Sequence, residues 1–137
     1  AELSVVNRTP KRGEEMVNDV RYRTNAVISL LPWDETCVVP PDVDLLVNAT
    51  SIGLYPNVEA MPDVNLERAR DDLLVCDVVF NPPETRFLRA ARERGLPTLD
   101  GLSMLVYQGV IAFELWTGRD APEAVMKAAL RQALGLE

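Results

Sequence analysis

The fold is decided by the stretch Asp44-Leu45-Leu46-Val47-Asn48-Ala49-Thr50-Ser51-Ile52-Gly53, in which a short apolar run passes directly into small polar residues. An apolar run without polar alternation is typical of a strand that is buried on both faces. Three further runs of this kind, at residues 3–6, 26–30 and 73–80, also predict strands. Segments with helical features lie between the runs. This alternation predicts an α/β fold with a parallel sheet.

Capping residues mark the starts of the predicted helices. Thr9 precedes a proline and predicts a helix that begins at that proline and continues to Val20. Thr85 predicts the start of a second helix, which ends near Arg94. Asp120, with a glutamate three residues later, predicts the start of a last amphipathic helix.

Residues 101–118 predict a helix that is apolar around nearly its whole circumference. Such a helix is buried, either in a large core or against another domain. In a chain of 137 residues a further domain is the better explanation, so the helices within 102–134 are expected to pack toward it. Gln108 is one of the few polar side chains on this helix. A buried amide needs a hydrogen-bond partner, and a backbone carbonyl is the usual one.

Composition and charge exclude several classes of function. With 14 basic and 21 acidic residues the net charge is −7, which argues against a nucleic-acid partner. The absence of histidine excludes Ser-His and Cys-His catalysis and histidine-ligated metal sites. Cys37 and Cys76 are too few for a zinc site and are expected to be buried free thiols in a reducing cytoplasm. These residues imply no metal. No apolar run approaches the length of a membrane span, so a membrane partner is not expected either.

A basic cluster, Asn7-Arg8-Thr9-Pro10-Lys11-Arg12, follows the first predicted strand and opens the first helix. Nucleotide-binding α/β folds bind ligands at the carboxyl ends of their strands. There an acidic residue accepts the ribose 2′-hydroxyl, whereas an arginine binds a 2′-phosphate. The pair Asn7-Arg8 matches the phosphate version. The alternative is a solvated basic patch beside a capping threonine.

Polar clusters also follow two later strands and open the apolar helix. In the run 48–53, small hydroxyl residues and a glycine allow a flat ring to approach the backbone, although an ordinary strand-to-loop turn could have the same composition. In the run 77–82, Asp77 is either a buried polar side chain that orients its neighbours or the polar edge of a strand. The third cluster, 101–109, contains Gln108.

Together these clusters resemble the shikimate dehydrogenase family. The motifs that occur in the family's order and approximate spacing are Asn7-Arg8-Thr9 with Arg12, the stretch 44–53, Asp77-Val78-Val79-Phe80-Asn81-Pro82 with Thr85, Gly101-x-x-Met104-Leu105-Val106-x-Gln108, and Ala112-Phe113 before Trp116-Thr117-Gly118. The resemblance spans nearly the whole chain. It implies a Rossmann-like, doubly wound parallel sheet and the cofactor-binding C-terminal domain of an enzyme of chorismate biosynthesis. That enzyme interconverts 3-dehydroshikimate and shikimate by hydride transfer with NADP.

The resemblance also implies a role for each motif. The residues implied to hold the adenosine ribose and its 2′-phosphate are Asn7, Arg8, Thr9, Pro10, Lys11 and Arg12. Those implied to line the rest of the cofactor are Asn48, Ala49, Thr50 and Ser51 at its centre, with Val78, Gly101 and Met104 beside the nicotinamide. Gln108 is implied to reach the substrate. Phe80 takes a position where the family usually has a substrate-binding tyrosine hydroxyl, which phenylalanine cannot supply.

Parts of the family's machinery are expected to lie outside this chain. The glycine-rich pyrophosphate turn, with the first strand of the sheet, should lie upstream of Ala1, and the catalytic lysine and aspartate belong to an N-terminal domain. The chain's own lysines, Lys11 and Lys127, are not placed to accept a proton from a substrate hydroxyl. We therefore expect residues 1–137 to be a fragment, most of one NADP-binding domain, with no catalytic residue and no activity alone.

Two other functions are compatible with the same residues. A quinate/shikimate dehydrogenase that prefers NAD would be expected to have an acidic residue near position 7. A non-catalytic nucleotide-sensing or interaction domain would need no catalytic half. The predicted partners are a small-molecule substrate, the N-terminal domain and, through unpaired strand edges, a second copy of the chain in a homodimer.

Overall fold

The computed structural model describes residues 2–33 and 36–136, which fall into two units. The first unit contains residues 2–33, 36–38 and 63–65, and the second contains residues 39–62 and 66–136. Ala1, Asp34, Glu35 and Glu137 lie outside the described residues, as do both ends of the predicted 1–137 domain.

Strands and helices alternate along the described chain. In chain order the elements are β1 (Glu2–Val6), α1 (Pro10–Arg23), β2 (Val27–Leu31), β3 (Cys37–Val38), β4 (Leu45–Asn48), β5 (Val64–Asn65), β6 (Leu74–Asp77), α2 (Arg86–Glu93), β7 (Thr98–Leu99), α3 (Leu102–Thr117) and α4 (Glu123–Ala133). Every described pair is parallel: β1 with β2, β3 with β5, and β6 with both β4 and β7. The predicted α/β class with parallel strands is confirmed.

The first unit is built around a parallel β-α-β arrangement. α1 packs against β1 and β2 and supplies the crossover that a parallel pair requires. Gly13 on α1 is buried, and a side-chain carbon there would lie 2.5 Å from Leu30 Cδ1 and 3.2 Å from Asn7 Cβ. The glycine thus lets the helix lie close to both strands. Arg21 fixes the far end of α1, because its Nε and Nη2 donate to Ile28 O at 3.1 and 2.5 Å.

The second unit contains the sheet β4-β6-β7, with β6 in the middle. The register places Asn48 opposite Asp77, so β4 and β6 end side by side. α2 packs on β6 and β7. The side chains at the centre of this core, each at most 2% exposed, are Leu73, Val75, Phe87, Leu88 and Ala91. This core holds the polar ends of β4 and β6 in fixed register.

The strands are less buried than the sequence predicts. Leu3, Val27, Leu45 and Val47 are between 45% and 63% exposed. The prediction of strands buried on both faces is therefore wrong for β1, β2 and β4, because the described helices cover only part of these strands, whereas no residue of the run 73–80 is exposed. The sequence also missed β3, β5 and β7, which have two residues each and are too short to show a hydrophobic pattern.

The predicted helices are present, but only one predicted cap makes its bond. Thr85 caps α2, since its Oγ1 accepts from Leu88 N at 3.3 Å. Thr9 occupies the N-cap position of α1, yet its hydroxyl makes no capping bond. Asp120 is not the cap of α4, because the chain remains non-helical for two more residues and Pro122 takes the N-cap position.

α3 is more exposed than the sequence predicts. Val106 is its only buried residue, whereas Leu115 is 78% and Trp116 84% exposed. The prediction that α3 is buried is wrong for the described chain, because α4 is the only described element that packs against it to any extent. Within the described residues, no helix has the length and hydropathy needed to cross a bilayer.

Both cysteines are free thiols, as predicted, but they are half-buried rather than buried. Burial raises the pKa of both the Cys37 and the Cys76 thiol, and the nearby Asp63 carboxylate raises that of Cys37 further. Each thiol therefore stays protonated, and unreactive, to a higher pH than a free cysteine.

The buried core of the second unit leads to a prediction about the free energy of unfolding. We expect Leu88→Ala to lower the free energy of unfolding by about 2–5 kcal/mol, because Leu88 is fully buried and its truncation leaves a cavity. Val125→Ala is the control, since Val125 is 66% exposed on α4 and should change stability by less than about 0.5 kcal/mol. Urea denaturation of the complete protein measures both. Equal effects of the two substitutions would contradict this assignment of the core.

Candidate functional site

The start of α1 presents positive charge. Asn7 Oδ1 accepts from Thr9 N at 2.8 Å, and this turn leads the chain from β1 into the helix. The exposed side chains of Arg8, Lys11 and Arg12 form no ion pair with a described residue, and the first turn contains no acidic residue. Unpaired cations beside the positive end of a helix dipole attract an anion such as a phosphate.

Gly13 is a residue of this region that the sequence analysis missed. Its close contact with the Asn7 and Leu30 side chains sets the distance between α1 and the end of β1. One signal was available, since a glycine in a helix interior costs about 1 kcal/mol relative to alanine and so indicates a packing requirement.

A buried polar network lies at the ends of β4 and β6 in the second unit. Its members are Asn48, Asp77 and Thr85, which are 5%, 2% and 0% exposed. Asp77 is the centre, because its Oδ1 accepts from Asn48 Nδ2 and Val79 N, both at 3.0 Å. Its Oδ2 accepts from Thr85 Oγ1 at 2.7 Å. Of the two roles considered for Asp77, the structure shows the buried side chain that orients its neighbours.

Asn48 uses all of its hydrogen-bonding capacity inside the chain. Its Nδ2 donates to Asp77 Oδ1 and, at 3.2 Å, to Ile52 O. Its Oδ1 accepts from Thr50 N at 3.2 Å and from Thr50 Oγ1 at 2.7 Å. An amide side chain has two donor hydrogens and two acceptor positions. Asn48 therefore shapes the loop, and the next three residues, Ala49, Thr50 and Ser51, are exposed.

Burial disfavours the charged form of Asp77. Burial raises the pKa of this carboxyl, and the hydrogen bonds from Thr85, Val79 and Asn48 act in the opposite direction. The three donors therefore offset part of the cost of removing a carboxylate from water.

Gly101 lies against the backbone that follows β6. A side-chain carbon at Gly101 would lie 2.6 Å from Val78 O and 2.8 Å from Val79 O. Only glycine allows this approach, and it brings together two of the three residues predicted beside the nicotinamide. The third, Met104, is 51% exposed on the first turn of α3.

Gln108 differs from its prediction. Its side chain is exposed, and Nε2 donates at 3.0 Å to Leu105 O in the same helix. The prediction of a buried amide is wrong for the described chain, because no described element covers this part of α3. Phe80, the other residue predicted to meet the substrate, is half-buried after the end of β6.

A separate cavity of about 210 Å³ lies between the start of α3 and α4. Its charged and polar lining residues are Asp100, Ser103, Tyr107, Glu123, Lys127 and Arg131. A hydrogen bond to Glu123, with the repulsion of its charge, raises the pKa of Tyr107. None of the residues predicted for the cofactor or the substrate lines this cavity. Among the described residues, no group of three or more His, Cys, Asp or Glu side chains could hold a metal ion.

Comparisons with known proteins agree with these motifs. The profile of the shikimate 5′-dehydrogenase C-terminal domain matches residues 101–131. The shikimate dehydrogenase (NADP(+)) of Desulforamulus reducens is 41% identical over 132 residues, which are 95% of this chain and 45% of that protein. The chain belongs to the shikimate dehydrogenase family.

Solved structures extend the likeness of this shikimate dehydrogenase family member to its fold. The ligand-free 5-ketofructose reductase of Gluconobacter sp. strain CHM43 is 41% identical, with a TM-score of 0.86 over 97% of this chain and 48% of that one. The shikimate 5-dehydrogenase of Thermus thermophilus, in complex with NADP(H) and shikimate, is 35% identical, with a TM-score of 0.77 over 97% and 46%. The predicted family and Rossmann-like fold class are confirmed. The chain spans about half the length of the relatives it matches.

The contact of Gly101 makes a prediction for this family member. We expect Gly101→Ala to lower the free energy of unfolding by about 1–3 kcal/mol, because the new methyl group would collide with the Val78 carbonyl oxygen. Gly109→Ala on α3 is the control. Its new methyl would meet only the flexible end of Met126, and alanine favours the helix. Thermal unfolding of the complete protein compares the two, and an equal effect would refute the close approach at Gly101.

Proposed function

We propose that the chain is the cofactor-binding part of an NADP-dependent shikimate dehydrogenase. In this proposal the whole protein reduces 3-dehydroshikimate to shikimate by hydride transfer, as a step of chorismate biosynthesis. The observation that carries the proposal is the unpaired cationic start of α1. The names of the relatives support it, because the Desulforamulus enzyme is called NADP(+)-dependent and the Thermus enzyme binds NADP(H) and shikimate.

The residues at the start of α1 fit the adenosine end of NADP. Arg8, Lys11 and Arg12 supply the cations for a 2′-phosphate, and the turn built by Asn7 and Thr9 directs the chain into the helix beside them. With Pro10 at its first position, the helix also directs the positive end of its dipole toward the same region. The NAD-dependent alternative is less well supported, because position 7 is not acidic and the first turn contains no carboxylate.

The residues of the second unit fit the nicotinamide end. NADPH supplies the hydride when it is bound. Val78, Gly101 and Met104 would form a surface for the flat ring, since the missing side chain at Gly101 lets this residue lie directly against the Val78 backbone. The exposed Ala49, Thr50 and Ser51 would line the central part of the cofactor, in a loop whose shape Asn48 sets from the inside.

Gln108 and Phe80 are proposed to meet the substrate. The exposed Gln108 amide uses one N–H for Leu105 O, so its carbonyl oxygen and second N–H are free of described partners. These two groups can bind a hydroxyl of the substrate. Phe80 supplies an apolar edge in place of the usual tyrosine hydroxyl.

The acid–base chemistry is proposed to come from an N-terminal domain that covers α3. The exposed side chains of Ile111, Leu115 and Trp116 give α3 an apolar surface that no described residue covers. The chain also spans less than half of the Desulforamulus enzyme, which leaves room in such a protein for a second domain. The free thiols Cys37 and Cys76 support a location in the reducing cytoplasm.

A second candidate function is the reduction of a different carbonyl compound. Two observations favour it: the 41% identity to a 5-ketofructose reductase and the phenylalanine at position 80. A site without the tyrosine hydroxyl loses one hydrogen bond to shikimate, worth about 0.5–1.5 kcal/mol, and so discriminates less strongly in its favour.

Arg8→Ala tests the proposed choice of cofactor. We expect it to weaken NADP binding by about tenfold or more and to leave NAD binding nearly unchanged, because charge-assisted hydrogen bonds contribute about 1.5–3 kcal/mol each. Arg23→Ala, at the other end of α1 in an exposed pair with Asp19, is the matched control and should affect neither cofactor. Calorimetric titration measures the dissociation constants of NADP and NAD for the complete wild-type protein and for both variants. Equal weakening of NADP and NAD by Arg8→Ala would mean that Arg8 does not bind the 2′-phosphate.

Gln108 and Phe80 test the proposed substrate. We expect Gln108→Ala to lower kcat/KM for shikimate by about tenfold, with the melting temperature unchanged, because the side chain is exposed and supports no described contact beyond its own helix. Phe80→Tyr should raise kcat/KM for shikimate and partly rescue the Gln108→Ala enzyme. Steady-state kinetics with shikimate, and with a ketose in the reductive direction, compare the two candidate functions. Ketose reduction without shikimate oxidation would favour the second.

A further inference from the structure

We propose that Asp77 and Thr85 are positioning residues for the nicotinamide side of the site and act through loop 48–52 without touching the cofactor. The proposal rests on the proposed function, since it explains how the same site keeps its shape. It follows from the route of the hydrogen bonds between α2, the end of β6 and loop 48–52.

The Asn48 side chain links loop 48–52 to Asp77 and has no hydrogen-bonding group left for the cofactor. Both of its N–H groups and its oxygen are used by Asp77, Ile52 and Thr50. Thr50 continues the chain of bonds, because its Oγ1 accepts from Ile52 N at 3.0 Å. The position of the loop is therefore set by what holds the Asn48 side chain, and that partner is Asp77.

Thr85 fixes Asp77. The Thr85 hydroxyl donates to Asp77 Oδ2 and accepts from Leu88 N at the start of α2. Thr85 is fully buried, so no water replaces either bond if the hydroxyl is removed. Asp77 would then keep its bonds to Asn48 and Val79 but lose the one that holds its second oxygen.

The same carboxylate positions the backbone under the proposed ring. Val79 N donates to Asp77 Oδ1, and Val78 N donates to Asn48 O at 3.1 Å. Gly101 lies directly against this backbone, because a side-chain carbon at this position would lie only 2.6 Å from Val78 O. One carboxylate thus sets the relative positions of loop 48–52 and the surface formed by Val78 and Gly101.

This arrangement predicts an effect limited to one end of the cofactor. The proposed 2′-phosphate site lies in the first unit, whereas the network lies wholly in the second. Loss of the Thr85 hydroxyl should therefore weaken ligands that contain nicotinamide and spare adenosine 2′,5′-bisphosphate, which has the phosphate and lacks the ring. A general loss of stability would act on both ligands alike.

The experiment measures the binding of NADP+ and of adenosine 2′,5′-bisphosphate to the complete protein, well below its melting temperature. Because Thr85→Val removes one hydrogen bond, we expect it to weaken the binding of NADP+ about fivefold or more. The affinity for adenosine 2′,5′-bisphosphate should change by less than about twofold. Thr85→Ser keeps the hydroxyl and should bind NADP+ as tightly as the wild-type protein does. Leu73→Ala, a fully buried core residue of the same unit outside the network, is the control for general destabilisation and should not separate the two ligands.

Each outcome distinguishes the proposals. A wild-type protein that does not bind NADP+ overturns the proposed function. If the wild type binds, equal weakening of both ligands by Thr85→Val, or unchanged binding of both, overturns the positioning role alone. Should Thr85→Val fail to fold, Asp77→Asn takes its place, because the amide keeps the shape of the carboxyl and offers one acceptor oxygen instead of two. The same separation of the two ligands is then required.

Discussion

The Asp77 carboxylate is the group on which the second unit depends. It is almost fully buried, and it joins loop 48–52, which is distant in the sequence, to the turn after β6 and the start of α2. A buried carboxylate is unfavourable unless donors surround it, and a network with one donor missing is less stable than an apolar core. The three donors are therefore interdependent, which makes the polar ends of β4 and β6 rigid. Under the proposed function, a rigid edge of the sheet suits a surface that holds the flat nicotinamide ring.

The start of α1 places positive charge where a helix disfavours it. Several other arginines have acidic partners on the surface, as in the pairs of Arg89 with Glu59 and of Arg92 with Glu84. Such exposed pairs contribute little to stability but neutralise charge. In a chain of net charge −7, three cations within five residues at a helix N-terminus are unfavourable for the helix, because the helix dipole favours negative charge there. An anionic ligand would remove this conflict, which is the physical argument for placing the 2′-phosphate here under the proposed function.

Much of the architecture could be predicted from local patterns. The four longer strands have apolar runs, and the bond from Leu88 N to the Thr85 side chain is a local feature with a known residue preference. The bond from Thr85 to Asp77 could not be predicted, because it depends on the path of the loop between them. Asn7 was predicted for its ligand and not for the turn it makes with Thr9, since asparagine is common in both roles. Gln108 was misjudged because an apolar helix does not by itself show what covers it.

In the second unit, buried polar groups hold the structure together, whereas exposed groups on α3 are available to a partner or ligand. Within the second unit, the buried polar groups are used to hold the sheet edge, so none of them is free to exchange a proton with a substrate. Gln108 is exposed and has spare hydrogen-bonding groups, but an amide has no acid–base function at neutral pH. Under the proposed function, the proton donor for hydride transfer comes from the N-terminal domain. The uncovered apolar surface around Leu115 and Trp116 is suited to hold such a partner, because burial of apolar area contributes about 25 cal/mol per Å² without requiring specific polar contacts.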